Sequence, residues 1–173
     1  KIWASLVGGA KTWITAGGIT AVVGILISSL EISGLGVKFS IFVIDLTQGN
    51  LLMTLVFVGF ACFVLGTGLE SIPTYMTLAV IAAPALVELG VPPIVAHLFV
   101  IYWGLASFIT PPECIAVYIA CSISGSKLWE TGWESMRLGI AVFIVPFAFV
   151  YNQALLMRGG VGEIIAATVT AFC

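Results

Sequence analysis

Long apolar segments alternate with short polar interruptions along this chain. Two segments without any charged residue, residues 51–65 and 74–87, flank the motif Gly66-Thr67-Gly68-Leu69-Glu70-Ser71-Ile72-Pro73. Apolar residues are continuous within these segments, whereas the strands of a membrane barrel alternate polar and apolar residues. The pattern therefore predicts an all-α chain, built of helices that are joined by short polar segments.

The polar motif predicts a break in the backbone. A helix that ran through it would lose about 5 kcal/mol of helix propensity to its two glycines and its proline. Each flanking segment is only about 22 Å long as a helix at 1.5 Å per residue, which is shorter than the roughly 30 Å core of a bilayer. Two short arms joined by an interrupted polar tip are typical of a re-entrant hairpin, and such a tip is tolerated at membrane depth where it lines a cavity.

A second interruption, Thr110-Pro111-Pro112-Glu113, separates the apolar residues 94–109 from residues 114–124. Its two prolines remove two backbone donors, so we expect one discontinuous transmembrane helix here. Freed amides at helix starts suit carboxylates, and freed carbonyls suit sodium. The two breaks together predict a binding site made of Gly66, Gly68, Glu70, Ser71, Pro73, Thr74, Thr110, Pro111, Pro112 and Glu113.

The two glutamates of this site have alternative interpretations. Glu70 either takes part in binding or only shapes the hairpin tip, and Glu113 either takes part or caps the helix that follows the prolines. His97, near the start of its helix, is interpreted as structural. The four cysteines have no metal-ligand spacing and are interpreted as small hydrophobic residues of packed helices.

The other segments complete a membrane topology. Residues 13–30 predict a first span, and residues 137–157 predict a last span with a kink at Pro146. Residues 35–46 and 126–136 are amphipathic and predict helices that lie in the membrane interface; the second carries two tryptophans four residues apart, as interfacial anchors do. Residues 1–158 are expected to form one transmembrane permease domain, and residues 159–173 to begin a further apolar helix or a tail.

Composition places this pattern in a membrane. The 173 residues are 61% hydrophobic and 8% charged, with a mean hydropathy of +1.21, whereas about a quarter of the residues of a soluble domain are charged. The chain is therefore expected to be a multi-pass integral membrane protein, and it has no basic stripe for nucleic acid. The chain stops inside an apolar segment, which suggests a piece of a larger polypeptide.

Basic residues indicate the orientation in the membrane. With a re-entrant hairpin, four of them share the face of the N-terminus and two lie on the opposite face; the first group is Lys1, Lys11, Lys127 and Arg137, and the second is Lys38 and Arg158. An excess of basic residues marks the cytoplasmic side. The count favours a cytoplasmic N-terminus and a hairpin that enters from outside.

Sequence motifs weigh against an enzyme. The chain has no HExxH, no paired membrane aspartates and no GxSxG, which are motifs of hydrolases. Two polar breaks at membrane depth favour secondary transport, with a membrane channel or a non-transporting scaffold as alternatives.

The motifs also resemble a known family. The motif Leu65–Pro73, followed by Ile109-Thr110-Pro111-Pro112, resembles the large membrane subunit of tripartite ATP-independent periplasmic (TRAP) transporters. Residues 83–93 and Phe143-Ile144-Val145-Pro146-Phe147 are similar to its fused-permease branch. The resemblance extends from about Ala10 to Met157.

This resemblance implies a sodium-driven importer of small organic acids in the inner membrane of a bacterium or an archaeon. Its partners would be a periplasmic substrate-binding protein, a small membrane subunit or its fused equivalent, and the first repeat of the same permease. Such permeases have two inverted repeats and work as elevators; this chain looks like the second repeat. Carried over by position, the resemblance implies a sodium ion near Gly68, Ser71 and Thr110. The chain departs from the family pattern at Glu70-Ser71, where aspartate or proline-threonine is frequent, and at Glu113.

Overall fold

The protein is all-helical in a computed structural model that describes residues 2–67, 69, 71–111 and 114–172. The described residues form ten α-helices and two short 3-10 helices, which confirms the all-α prediction. The α-helices are α1 (Ile2–Ser33), α2 (Leu35–Thr47), α3 (Leu51–Gly66), α4 (Ser71–Ile81), α5 (Ala83–Glu88), α6 (Pro93–Leu105), α7 (Ile115–Ser124), α8 (Leu128–Leu138), α9 (Ile140–Tyr151) and α10 (Val161–Phe172). The 3-10 helices are Ala106–Ile109 and Gln153–Leu156.

Helix α6 is the centre of the bundle. It packs against α3, α4, α5 and α9, and Phe99 at its middle is fully buried. The rings of Phe99 and Trp103 meet those of Phe143 and Phe147 on α9, with edge-to-face centroid distances of 5.4 Å for Phe99–Phe147 and Trp103–Phe143. Aromatic pairs in this geometry stabilise packing by about 1 kcal/mol beyond the area that they bury. The hairpin arms α3 and α4 therefore rest on a helix that is itself firmly held.

By length and composition, one helix of the described residues could cross a membrane: the 24 residues of Leu128–Tyr151, which combine α8 and α9. A second candidate is the pair Thr20–Ser33 and Leu35–Thr47, bent by 59°. The bend falls at Gly34, which adopts a left-handed conformation with φ 65° that glycine tolerates. Helix α1 therefore ends at Ser33, and α2 begins in a new direction at Leu35.

The end of the last span differs from the prediction. We expected one helix over residues 137–157, but α9 ends at Tyr151. The side chain of Asn152 accepts a hydrogen bond from the amide of Ala154 at 3.2 Å, and a 3-10 helix follows. A local side-chain cap of this kind competes with the α-helical ladder, which explains why the apolar pattern overestimated the length of the helix.

Apolar side chains cover much of the outer surface. Phe60 on α3 and Val22 on α1 are more than half exposed. Exposed apolar patches of this extent are rare on soluble monomers, and they suit a surface that faces lipid. Helix α8 differs, because it combines the exposed Trp129 and Trp133 with exposed charges.

Candidate functional site

The first break lies between α3 and α4. Helix α3 ends at the buried Gly66, and Thr67 turns into an extended conformation. Helix α4 begins at Ser71, three residues before the predicted position, so that Pro73 lies in its first turn. A proline is tolerated there because the amide that it lacks would have no helical acceptor.

The end of α3 is in direct contact with the end of α6. A Cβ atom on Gly66 would collide with the carbonyl oxygen of Gly104, so only glycine allows this approach of the two backbones. The hydroxyl of Ser107, which is fully buried, lies 2.9 Å from the carbonyl oxygen of Gly104 and 3.3 Å from that of Gly66. The Ser107 side chain therefore contacts carbonyls at the C-terminal ends of both α3 and α6.

Helix α4 also packs against Gly104. A Cβ atom on Gly104 would lie 2.6 Å from Cδ1 of Leu78 and 3.1 Å from Cγ2 of Thr74. The hydroxyl of Thr74, also buried, donates to the carbonyl of Leu69 at 3.1 Å. Gly104 thus lies in contact with both arms of the hairpin, which fixes the hairpin on α6.

The second break begins where α6 tightens into the 3-10 helix Ala106–Ile109. Thr110 is then extended, with φ −107° and ψ 127°, as residues before a proline usually are. Its hydroxyl donates to the carbonyl of Ala106 at 2.8 Å. The ring of Pro111 packs on α8, where a Cβ atom on Gly132 would lie 2.7 Å from Cγ of Pro111. On the described side, the helical conformation therefore ends at Ile109, just before the double proline.

The flanks of the two breaks meet at one cleft of about 390 Å³. Ser71 and Ile72 from the start of α4 form one wall, and Phe108 with the first residues of α7 forms the other; its lining is Ser71, Ile72, Phe108, Ile115, Ala116 and Ile119. A volume of this size is within the range of small-molecule sites. The cleft is mainly apolar, with the Ser71 hydroxyl group on one wall.

The predicted site residues do not all face this cleft. Ser71 lines it, whereas Gly66 and Thr74 pack around Gly104 and Ser107. Pro73 lines a different cleft toward Gly18 and Val22 of α1. Thr110 binds its own helix and Pro111 contacts α8. The remaining predicted residues, Gly68, Glu70, Pro112 and Glu113, lie outside the described residues.

The hydroxyl groups around the breaks share one chemical property. Those of Thr74, Ser107 and Thr110 each lie within donating distance of a backbone carbonyl. A hydroxyl has one proton to donate and two lone pairs, so each oxygen keeps its capacity to accept. Neutral oxygen atoms beside interrupted helices suit a sodium ion better than a metal that requires nitrogen or sulfur ligands.

The sequence prediction did not include Gly104 and Ser107, which lie in this region. They precede Thr110 at intervals of three residues, and side chains three apart lie above one another in a 3-10 helix. The repeated spacing of small and hydroxyl residues just before a double proline was the available signal. Phe108 was also missed, and nothing in the pattern separates it from a core phenylalanine.

Comparison with known proteins identifies the family. The family of the tripartite ATP-independent periplasmic transporter, DctM component, matches residues 1–164. The chain belongs to this family. No curated protein and no solved structure matches it.

Membership of the DctM family confirms the resemblance found in the motifs. The DctM component is an integral membrane permease subunit, and the family is one of transporters and not of enzymes. In TRAP systems it works with a periplasmic binding protein and a small membrane subunit. Family membership therefore makes the chain a permease subunit of a TRAP transporter.

Proposed function

We propose that this DctM-family chain contributes the substrate and sodium site of a secondary active TRAP transporter that imports small organic acids. The observation that carries the proposal is the cleft where the start of α4 meets the second break. Interrupted helices that meet at a cavity are the usual construction of secondary transporter sites.

The cleft suits a carboxylate on one wall. Ser71 and Ile72 are the first residues of α4, an α-helix of 11 residues. The amides of a first helical turn have no helical acceptor and carry partial positive charge. A carboxylate that enters the cleft beside Ser71 would accept hydrogen bonds from them, while the apolar wall of Phe108 and Ile119 would contact the carbon skeleton.

Sodium would bind on the side of the hydroxyl groups. We place it near Gly68, Ser71 and Thr110, with the buried hydroxyl of Thr74 as a further support of the site. Neutral hydroxyl and carbonyl ligands leave the positive charge of sodium uncompensated, which favours binding of the anionic acid nearby. This mutual attraction would couple the two ligands.

The packing favours movement of the hairpin together with α6. Both arms contact Gly104, and Ser107 bridges Gly66 to the end of α6. An elevator mechanism requires such a compact body, which carries its site past a fixed scaffold. The hairpin would be re-entrant from the periplasmic side of the inner membrane, and the first repeat of the same permease would supply the opposite half of the site.

The test is sodium-driven uptake by the complete TRAP system in proteoliposomes, with its binding protein and a set of small organic acids. Thr110→Val and Ser71→Ala should each raise the sodium concentration for half-maximal uptake about tenfold, which corresponds to about 1.4 kcal/mol. Ser29→Ala is the matched control, because this hydroxyl also donates to the carbonyl four residues earlier but lies on α1 and does not line the cleft. Unchanged sodium dependence in both site variants would contradict the assignment, and a sodium-independent conductance would favour a channel.

A further inference from the structure

A second candidate site lies at the end of the last span, around Arg158. This residue follows the 3-10 helix Gln153–Leu156 and borders two cavities. One is a polar cleft of about 560 Å³, lined by Tyr151, Asn152, Gln153, Ala154, Arg158, Glu163, Ala166 and Ala167. The other is an apolar groove of about 510 Å³, lined by Pro93, Ile94, Leu98, Leu156 and Arg158. A single cation therefore stands where a polar cavity meets an apolar one.

Arg158 is close to the expected depth of the lipid headgroups. The span Leu128–Tyr151 has 24 residues, about 36 Å at 1.5 Å per residue, which covers the hydrocarbon core of a bilayer. Tyr151 ends the span and is 59% exposed, as tyrosines of the membrane–water interface are. Arg158 comes seven residues later in a segment that turns back toward α6, so its long side chain can reach the interface.

Arg158 forms no ion pair within the part of the chain that the structure describes. The ion pairs found there are Lys127–Glu130 and Arg137–Glu134, at 3.2 and 3.8 Å. Glu163 shares the polar cleft, but one of its carboxylate oxygens accepts a hydrogen bond from the amide of Gly160 at 3.2 Å. Arg158 thus offers a guanidinium group to an outside anion, whereas Arg137, within the span, is paired with Glu134.

We propose that Arg158 binds an anionic phospholipid. The guanidinium group would hold the phosphate, since its planar donors match phosphate oxygens. The polar cleft with Gln153 would accept the rest of the headgroup, and an acyl chain would lie in the groove over Ile94 and Leu98. A soluble anion would use only the polar cleft, so the adjoining apolar groove favours an amphiphile. The inference needs only the membrane location of the chain and is independent of the sodium site.

The experiment uses the complete permease in nanodiscs of phosphatidylcholine with a minor fraction of phosphatidylglycerol, and native mass spectrometry counts the retained lipids. Arg158→Gln should lower the retention of phosphatidylglycerol about fivefold, the effect of one basic residue at an anionic surface, and leave phosphatidylcholine unchanged. Arg137→Gln is the control and should change neither. Ile94→Trp, which fills the groove, should also lower phosphatidylglycerol retention while Arg158 stays in place.

Three results would overturn the proposal. Wild-type retention by Arg158→Gln would remove Arg158 from lipid binding. An equal loss in Arg158→Gln and Arg137→Gln would indicate general surface charge without a site. Full displacement of the lipid by inorganic phosphate, with no effect of Ile94→Trp, would indicate a site for a free anion.

Discussion

The two breaks in this chain are held by different kinds of contact. At the first, the buried backbone of Gly66 lies on the backbone of Gly104, and the buried Ser107 bridges them. At the second, the ring of Pro111 lies on Gly132 of α8. Two backbones in close contact within a core cannot shift relative to each other. A proline ring that packs against an outer helix can move together with that helix. We infer that the backbone of the first break is held in place by the core. The position of the second break depends on the position of α8.

Helix α8 packs on α7 and on the 3-10 helix Ala106–Ile109 with one face, and its other face is exposed. Gly132 is buried, while Trp129 and Trp133 are 61% and 64% exposed. Exposed tryptophans favour the level of the headgroups. The membrane interface would therefore hold the start of α8, where the span Leu128–Tyr151 begins, and Gly132 in this part of α8 contacts Pro111 at the second break.

The largest expected effect comes from Gly66→Ala. The added Cβ atom would meet the carbonyl of Gly104, and since that carbonyl is backbone, α3 and α6 would have to separate. Overpacking of this kind costs up to about 3 kcal/mol, so we expect a clearly lower melting temperature and loss of uptake. Thermal unfolding of the purified permease in detergent, followed by uptake in proteoliposomes, measures both.

The control for this change is Gly17→Ala in α1, where a Cβ atom would have nothing within 4 Å. Alanine is favoured over glycine in a helix by about 1 kcal/mol, so stability should stay equal or rise. Equal losses in the two variants would contradict the view that the first break is fixed by backbone contact.

An intermediate effect is expected from Gly132→Ala. Its Cβ atom would lie 2.7 Å from Cγ of Pro111, and the peripheral α8 can move away. Stability should fall by about 1 kcal/mol, whereas the sodium concentration for half-maximal uptake should change several-fold because the second break shifts. Uptake titrated with sodium, beside thermal unfolding, separates the two effects.

The double variant Gly132→Ala with Pro111→Ala sharpens this test. Removal of the ring atoms removes the collision, so the effect of Gly132→Ala on stability should largely disappear in the Pro111→Ala background. Neighbours in contact show such non-additivity, and independent sites do not. Additive effects would show that Gly132 and Pro111 are not in contact in the transporter.

The ends of α3 and of the 3-10 helix Ala106–Ile109 were easier to predict from the sequence than the residues that pack against them. Pro73 and Pro111 restrict their own backbone, so the interruptions near them are visible locally. The contacts of Gly66 with Gly104 and of Pro111 with Gly132 join residues far apart in the chain, and no local pattern indicates which glycine faces which partner. The end of α9 was also missed, because the cap at Asn152 interrupts a helix whose apolar pattern continues.

The smallest loss of stability is expected from Ser107→Ala. This variant tests most directly whether the first break is held by backbone packing or by the Ser107 hydroxyl. The change removes one buried hydroxyl that lies 3.3 Å from the carbonyl of Gly66, and the net loss for one such hydrogen bond is about 1 kcal/mol. Ser122→Ala is the matched control, since Ser122 also donates to the carbonyl three residues earlier, at 2.7 Å, but is exposed. If packing of Gly66 on Gly104 fixes the first break, Ser107→Ala will lower the melting temperature slightly and leave the sodium titration within about twofold of wild type. A sodium shift as large as that of Gly132→Ala would mean that the hydroxyl bridge holds the first break, and the two breaks would then be equally adjustable.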